Sequence, residues 1–222
     1  MQDLKKTTEL KFTNNLEVSY LGLLQFEEAV KVQKALLGAA LSYKKNFLLG
    51  LEHPAVLTLG YRAIVTQEIL KANSLPIART ERGGLATIHS EGQLIIYPII
   101  NLRELNLGVR DYVCLLLKTT QELLKQLGID SYTDEKAVGL FTKNGKIAFC
   151  GVQIKSGISQ HGISLNVRND ISLFSAIRSC GLLDAGFDRL TDYGVELSLS
   201  EIFELWSRLF ASRLNCSISE RL

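Results

Sequence analysis

Arg82-Gly83-Gly84-Leu85-Ala86-Thr87-Ile88-His89-Ser90-Glu91-Gly92-Gln93 runs straight into the apolar stretch Leu94-Ile95-Ile96-Tyr97-Pro98-Ile99-Ile100. Paired glycines permit positive φ and a close approach of backbone to a ligand, at an entropic cost for which an idle loop has no use. One histidine, His89, stands between them and Gly92. The apolar run behind the loop is too uniform for a half-exposed strand, so it is expected in mid-sheet with both faces covered. Pro98 cannot donate to a ladder, which predicts a strand end, an edge or a bulge at that point. Two later segments are candidates to meet the loop: Lys146, just past an Asn144-Gly145 turn, and Cys180, just before a glycine.

Upstream, Leu16-Glu17-Val18-Ser19-Tyr20 alternates as a strand with one buried face. From Phe26 the period changes, and Phe26, Ala29, Val30, Leu36, Leu37, Ala40 and Leu41 fall on one helical face. Asn46 to Leu51 and Val56 to Leu59 read as short strands around a His53-Pro54 turn, and Pro54 keeps His53 out of helix. Residues Tyr61 to Ala78 carry too little pattern to assign.

Downstream, Val109, Val113, Leu116, Leu117, Thr120, Leu124 and Leu127 mark a long amphipathic helix closed by Gly128. Val138 to Phe141 and Lys146 to Cys150 flank the Asn-Gly turn as a hairpin. Gly162 to Val167 adds a strand, and a capping box from Ser198 to Glu201 opens a last helix that buries Ile202, Leu205, Trp206, Leu209 and Phe210. No repeat, low-complexity run or linker divides the chain. The expectation is a single domain over residues 1–222, α+β or loosely α/β, with a mixed β-sheet flanked by helices.

The 222 residues suffice for a substantial core, and 46% apolar with 22% charged residues describe an ordinary globular chain. A formal net charge of +2 makes no case for nucleic acid. Lys136, Lys143, Lys146, Lys155 and Arg168 gather locally. A solvated face is the ordinary reading of such a group, though together they would steer an acidic carrier protein toward a nearby pocket. No apolar segment is long enough for a membrane helix, and Met1 to Phe12 lacks the apolar core of a secretory signal, so the expectation is cytoplasmic. Four cysteines without a CxxC pair read as reduced thiols, with no zinc site.

Cys114 falls inside the long helix and Cys150 inside a strand, which makes both packing cysteines, and Cys216 has nothing reactive near it in sequence. Cys180, in Arg178-Ser179-Cys180-Gly181, stands where a loop is expected and is the candidate nucleophile. Alternation places Lys146, Ala148 and Cys150 on one side of their strand, with Ile147 and Phe149 on the other. A desolvated lysine amine titrates nearer neutrality and can take the proton of a thiol, which otherwise ionises near pH 8.5. The competing reading is a solvent lysine at a hairpin end. His53 is structural, whereas His89 and His161 each suit a hydrogen-bonding pocket residue or a general base.

Together these motifs resemble the octanoyltransferase (lipoate–protein ligase B) family across nearly the whole chain. The match runs through Glu52-His53-Pro54, Arg82-Gly83-Gly84 with Thr87, His89, Gly92 and Gln93, and Gly108-Val109-Arg110. It continues in Gly145-Lys146-Ile147-Ala148 with Gly151, in His161-Gly162 with Leu165-Asn166-Val167, and in Cys180-Gly181. The resemblance implies the biotin/lipoate protein ligase fold. It also implies octanoyl transfer from acyl carrier protein to a lysine of lipoyl domains, in 2-oxoacid dehydrogenase complexes or the glycine cleavage H protein, without a cofactor. By the same carry-over Cys180 takes the acyl chain as a thioester and Lys146 is its acid/base partner. Arg82, Gly83, Gly84, Leu85, Ala86, Thr87, Ile88, His89, Phe149, Cys150, Gly151, Gly162, Ile163 and Ser164 would line the acyl pocket. The chain departs from the family where Ile88 replaces a tyrosine, Ser90-Glu91 a Gly-Pro pair and Ser179 a proline. An ATP-dependent ligase, a non-catalytic carrier-binding module and a Cys/His hydrolase are the alternatives.

Overall fold

Strands and helices alternate irregularly along the computed structural model, which describes residues 15–70, 74–135, 137–177 and 186–220. In chain order they are β1 (Asn15–Leu23), α1 (Phe26–Tyr43), β2 (Asn46–Glu52), β3 (Val56–Leu59), α2 (Val65–Glu68), β4 (Ile77–Arg79) and β5 (Ala86–His89). Then follow β6 (Gln93–Ile99), α3 (Val109–Gln126), β7 (Gly139–Thr142), β8 (Gly145–Lys155), β9 (Ile158–Asn166), α4 (Leu199–Leu214) and β10 (Ser217–Glu220). Seven strands form one sheet in the order β10-β1-β2-β6-β9-β8-β7, and three form a second, β4-β3-β5. Both are mixed: β10, β1 and β2 run parallel, as do β3 and β4, while the remaining neighbours are antiparallel.

The expected elements are present, although β8 runs five residues beyond Cys150 and β9 starts four residues before Gly162. The segment left unassigned holds the four-residue α2 and the three-residue β4, both too short for a period to register. Strand β10 was not foreseen; Ser217–Glu220 pairs in parallel with the start of β1. Pro98 stands one residue from the end of β6, the strand-end place among those expected. Strand β6 itself is central rather than an edge, and Leu48 of β2 pairs with Pro98 on one side. On the other side the ladder to β9 ends at Ile96, so a missing N–H breaks no bond there.

The larger sheet separates two packing regions. One face carries α3 and α4 over a core that includes Leu16, Leu94, Tyr112, Leu116, Trp206 and Phe210. Trp206 donates its ring N–H to Thr120 Oγ1 at 2.9 Å, which satisfies the indole in a fully buried place. The predicted capping box closes the start of α4: Ser198 Oγ accepts from Glu201 N and Glu201 Oε2 from Ser198 N. Leu205 and Leu209 are only partly buried there, against the same core. The opposite face carries α1 over Phe47, Leu49, Ile95, Tyr97 and Ile99. The smaller sheet has its own cluster of Leu57, Leu59, Ile88, Phe149 and Phe174. Cys114 is exposed on α3 rather than packed, because it lies off that helix's buried stripe. Among the described residues no helix is long and apolar enough to cross a membrane.

Candidate active site

The glycine loop lies directly on main chain. Gly83 N donates to Val152 O of β8 at 2.9 Å, and Gly60 N to Leu85 O at 3.0 Å. A side chain would prevent this approach at Gly60, where a Cβ would sit 2.5 Å from Gly84 O, and would crowd it at Gly151, where one would sit 3.2 Å from Gly83 O. Gly84 and Gly92 hold φ of +94° and +83°, as the paired-glycine reading requires. Arg82 is buried and braces the loop, with Nη2 donating to Thr58 O at 3.0 Å and to Thr58 Oγ1 at 2.9 Å.

Beneath the loop, between it and the larger sheet, opens a cavity of about 460 Å³. Of the residues predicted from sequence, Arg82, Gly83, Gly84, Leu85, Ala86, Thr87, His89, Lys146, Phe149, Cys150, Gly151, Gly162, Ile163 and Ser164 all line it. Ile88 does not. Strand alternation turns it away from Thr87 and His89, into the cluster of the smaller sheet. Cys180 and Ser179 lie outside the described residues. Sequence reasoning did not assign Phe26, Tyr97, Val109, Val113 or Val138 to this wall, where the structure places them. The parity of β6 held a signal for Tyr97, which shares a face with Ile95; Val109 and Val113 come from α3, distant in sequence, and had none.

Lys146 is 2% exposed. Its Nζ donates to Val138 O at 2.9 Å and stands 4.8 Å from the ring centre of Phe149 and 5.3 Å from that of Phe141. The solvent-lysine reading is therefore excluded, and so is the predicted grouping of Lys146 with Ala148 and Cys150. A bulge is the cause. Phe141 pairs with Lys146 while the preceding Leu140 pairs with Ala148, so Ile147 is extra. Ile147 and Ala148 both enter the α3/α4 core, and Lys146 emerges beside Phe149. Gly139 makes room, since a Cβ there would lie 2.5 Å from Lys146 Cε.

Lys155 does not join the basic cluster: it is exposed at the far end of β8, about 33 Å from Gly145 at the rise of an extended strand, and Lys143 is exposed in the turn before that strand. Lys136 lies outside the described residues. Glu91 is exposed and contributes no carboxylate to the cavity.

His89 and His161 line the cavity, His53 stands behind His89 with ring centroids 5.8 Å apart, and burial lowers the pKa of all three. His53 is structural as read, held by Leu24 O at 2.7 Å and the Tyr97 hydroxyl at 2.9 Å. Desolvation drives His89 down to about 3 and His161 to about 4, so both are neutral near pH 7 and poor general bases. A chain of amides orients His89. Asn166 Nδ2 donates to Asp188 O at 3.0 Å, Gln93 Nε2 to Asn166 Oδ1 at 2.9 Å, and Gln93 Oε1 meets His89 Nδ1 at 2.7 Å. Since the carbonyl at the far end only accepts, each amide is oriented in turn and His89 carries its proton on Nδ1. His161 holds φ of +56° in the middle of β9, a left-handed conformation rare for a residue with a side chain. Gln33 of α1 accepts its N–H at 2.7 Å. Among the described residues no group of histidine, cysteine and carboxylate side chains could hold a metal ion.

The fold defines a class of protein first. Protein Ta0514 of T. acidophilum, solved with bound lipoic acid, superposes with a TM-score of 0.77 at 18% identity, over 93% of this chain and 89% of its own. A lipoate-protein ligase A bound with ATP gives 0.70 at 16%, over 94% and 88%. The biotin protein ligase of Aquifex aeolicus gives 0.52 at 13%, over 90% and 68%. This is the architecture of the biotin and lipoate protein ligases.

Sequence narrows the class. The family described as lipoyl protein ligase A/B catalytic domain matches residues 25–211, and the chain belongs to it. Relatives named octanoyltransferase include that of Persephonella marina, 33% identical over 84% of this chain and 92% of its own length. That of Cellvibrio japonicus is 34% identical over 90% and 93%.

Proposed function

We propose that this acyltransferase moves an octanoyl group from an acyl carrier protein to a lysine of a lipoyl domain, through a thioester on Cys180 with Lys146 as acid/base partner. The observation that carries the reading is the placement of Lys146: its Nζ is buried in the wall of an apolar-lined cavity, beneath the glycine loop, between two aromatic rings. The chain around Cys180 supports it. Ile177, three residues before Cys180, and Phe187, after it, both pack in the cluster that contains Phe149.

Lys146 Nζ takes the proton of the Cys180 thiol, and the thiolate attacks the carbonyl of the carrier's thioester. The new C–S bond forms as the carrier's C–S bond breaks, and the proton goes to the departing carrier sulfur. The amine of the target lysine then attacks the Cys180 thioester. The amide C–N bond forms, the enzyme's C–S bond breaks, and Lys146 passes the amine's proton to the cysteine sulfur. Each step starts from an activated acyl group, so ATP has no part, and the two half-reactions predict ping-pong kinetics. Recipients by this reading are lipoyl domains of 2-oxoacid dehydrogenase complexes or the glycine cleavage H protein.

The test is intact mass after mixing with octanoyl carrier protein alone. Wild type gains one octanoyl mass and Cys180→Ser gains none; an adduct on the serine variant sinks the thioester. The likeness to a ligase solved with ATP motivates one rival, activation of free octanoate. Loading from octanoate and ATP, but not from the carrier, would establish that rival instead.

A further inference from the structure

We infer that Asp188, outside the cavity, is a positioning residue for the Lys146 amine. The inference rests on the acid/base role proposed above for Lys146. The peptide of Lys146 is held on one edge by a short strap of chain, residues 186–188. Lys146 N donates to Gly186 O at 2.8 Å, and Asp188 N donates to Lys146 O at 3.0 Å. Two glycines make this approach possible: a Cβ on Gly145 would lie 2.1 Å from the Gly186 carbonyl, and one on Gly186 would lie 2.5 Å from Asn144 O. Between these ends Phe187 stacks on Phe174, centroids 4.4 Å apart, and on Phe149 at 6.2 Å. The ring of Phe149 is also the one beside Lys146 Nζ.

Asp188 fixes the strap to the rest of the molecule. Its side chain is buried at 2% exposure and accepts from three donors: the Thr142 hydroxyl, the Tyr193 hydroxyl at 2.5 Å and Arg189 N at 2.9 Å. Thr142 ends β7, the strand across the bulge from Lys146. Tyr193 in turn accepts from Asn144 Nδ2, in the turn that leads to Lys146, at 3.1 Å. The one carboxylate therefore joins strap, partner strand and turn around a single peptide unit. Among the described residues it forms no ion pair.

A buried carboxylate costs desolvation free energy, and an apolar residue of similar size would hold the strap at less cost. What an apolar residue cannot do is fix three hydroxyl and amide donors in one geometry. Lys146 pairs with Phe141 at the edge of the bulge, but its own N–H and C=O are both held by the strap, so its direction depends on the strap. Loss of the carboxylate frees Thr142 and Tyr193, releases the strap, and lets the Lys146 peptide turn. Nζ then swings away from the Val138 carbonyl and the Phe149 ring. Displacement of a catalytic group by about 1 Å is worth roughly 100-fold in rate.

The experiment is single-turnover loading from octanoyl carrier protein, scored by intact mass, for wild type, Asp188→Ala, Asp188→Asn, Tyr193→Phe and Lys146→Ala. Rates are normalised to the folded fraction from urea unfolding. Asp188→Ala is expected to load about 10- to 100-fold more slowly, with the donor's KM unchanged and an altered pH profile of loading. Asp188→Asn, which keeps an acceptor and lets Thr142 reverse its hydroxyl, recovers most of the rate. Tyr193→Phe, missing one of three donors, falls between wild type and Asp188→Ala. It also keeps the question answerable if Asp188→Ala does not fold. Wild-type loading by Asp188→Ala or Tyr193→Phe beside an inactive Lys146→Ala overturns this inference alone. So does a loss fully explained by unfolded protein, or an unchanged pH profile. Wild-type loading by Lys146→Ala removes the amine's role, and this inference falls with it.

Discussion

The two faces of the larger sheet are built to different rules. Under α3 and α4 the side chains are large and apolar, and the polar atoms among them are paired, as Trp206 is with Thr120 and Tyr112 with Ser159. On the side of α1 and the smaller sheet lie glycines, His89, His161 and a cavity. That side holds a left-handed His161 and a buried Thr87 hydroxyl with no hydrogen-bond partner among the described residues. A protein tolerates unpaired polar groups and unusual backbone where the surroundings hold them and function needs them. One face supplies stability, and the other spends part of it on a site.

The sharpest way to break this contrast is to alter one residue on each face and ask which property changes. Lys146→Ala is expected to lower turnover by about 10²- to 10⁴-fold, the range for loss of a general acid/base, while unfolding stays cooperative. Steady-state transfer and a urea melt on the same sample decide it, and near-normal turnover would remove the cavity face's claim to chemistry. Trp206→Ala, on the packed face, should cost about 3–5 kcal/mol of stability with activity per folded molecule intact. A smaller urea shift would mean that this core is less tightly packed than its burial implies.

The smallest effect sharpens the comparison through pH. His89 is held neutral at about 3 in the folded protein, against about 6.5 when unfolded, by desolvation above all. Between those values the unfolded chain binds the extra proton, so stability falls as pH drops below about 6.5. The slope approaches about 1.4 kcal/mol per pH unit for one histidine, and His161, lowered to about 4, adds to it over its own window. His89→Gln should show a shallower decline in urea midpoint between pH 6.5 and 4.5. An equal slope would mean that the ring is charged or solvated in the native state.

Most of this contrast was legible where a single segment decides the outcome. Leu94 to Ile100 announced a strand covered on both faces, Asn144-Gly145 a hairpin, and Ser198 with Glu201 a helix start; each depends on residues within a turn or two of one another. The glycines around Arg82 announced a close approach, although only the fold shows that the surface approached is β8. What could not be read depends on partners far away in sequence. The bulge at Ile147 is set against β7 and the strap at 186–188, some forty residues on, so simple alternation put Lys146 with the wrong neighbours. Pro98 pointed to a strand end, an edge or a bulge, and nothing local chooses among them, because the choice depends on β9 ceasing to pair at Ile96. The basic cluster was a nearness in sequence that an extended strand pulls apart.

Gly151 has a consequence for how such a site can change over time. The floor under the Arg82-Gly83 loop there is peptide rather than side chain, and a single methyl group would press on Gly83 O at 3.2 Å and Arg82 Cδ at 3.3 Å. Wall residues such as Val109 or Val113 can be exchanged for larger or smaller ones to reshape the chamber. Its floor offers less room for gradation, because the first step up from hydrogen already obliges the roof to give by a few tenths of an ångström. Evolution of a new preference for cargo would therefore have to proceed from the sides.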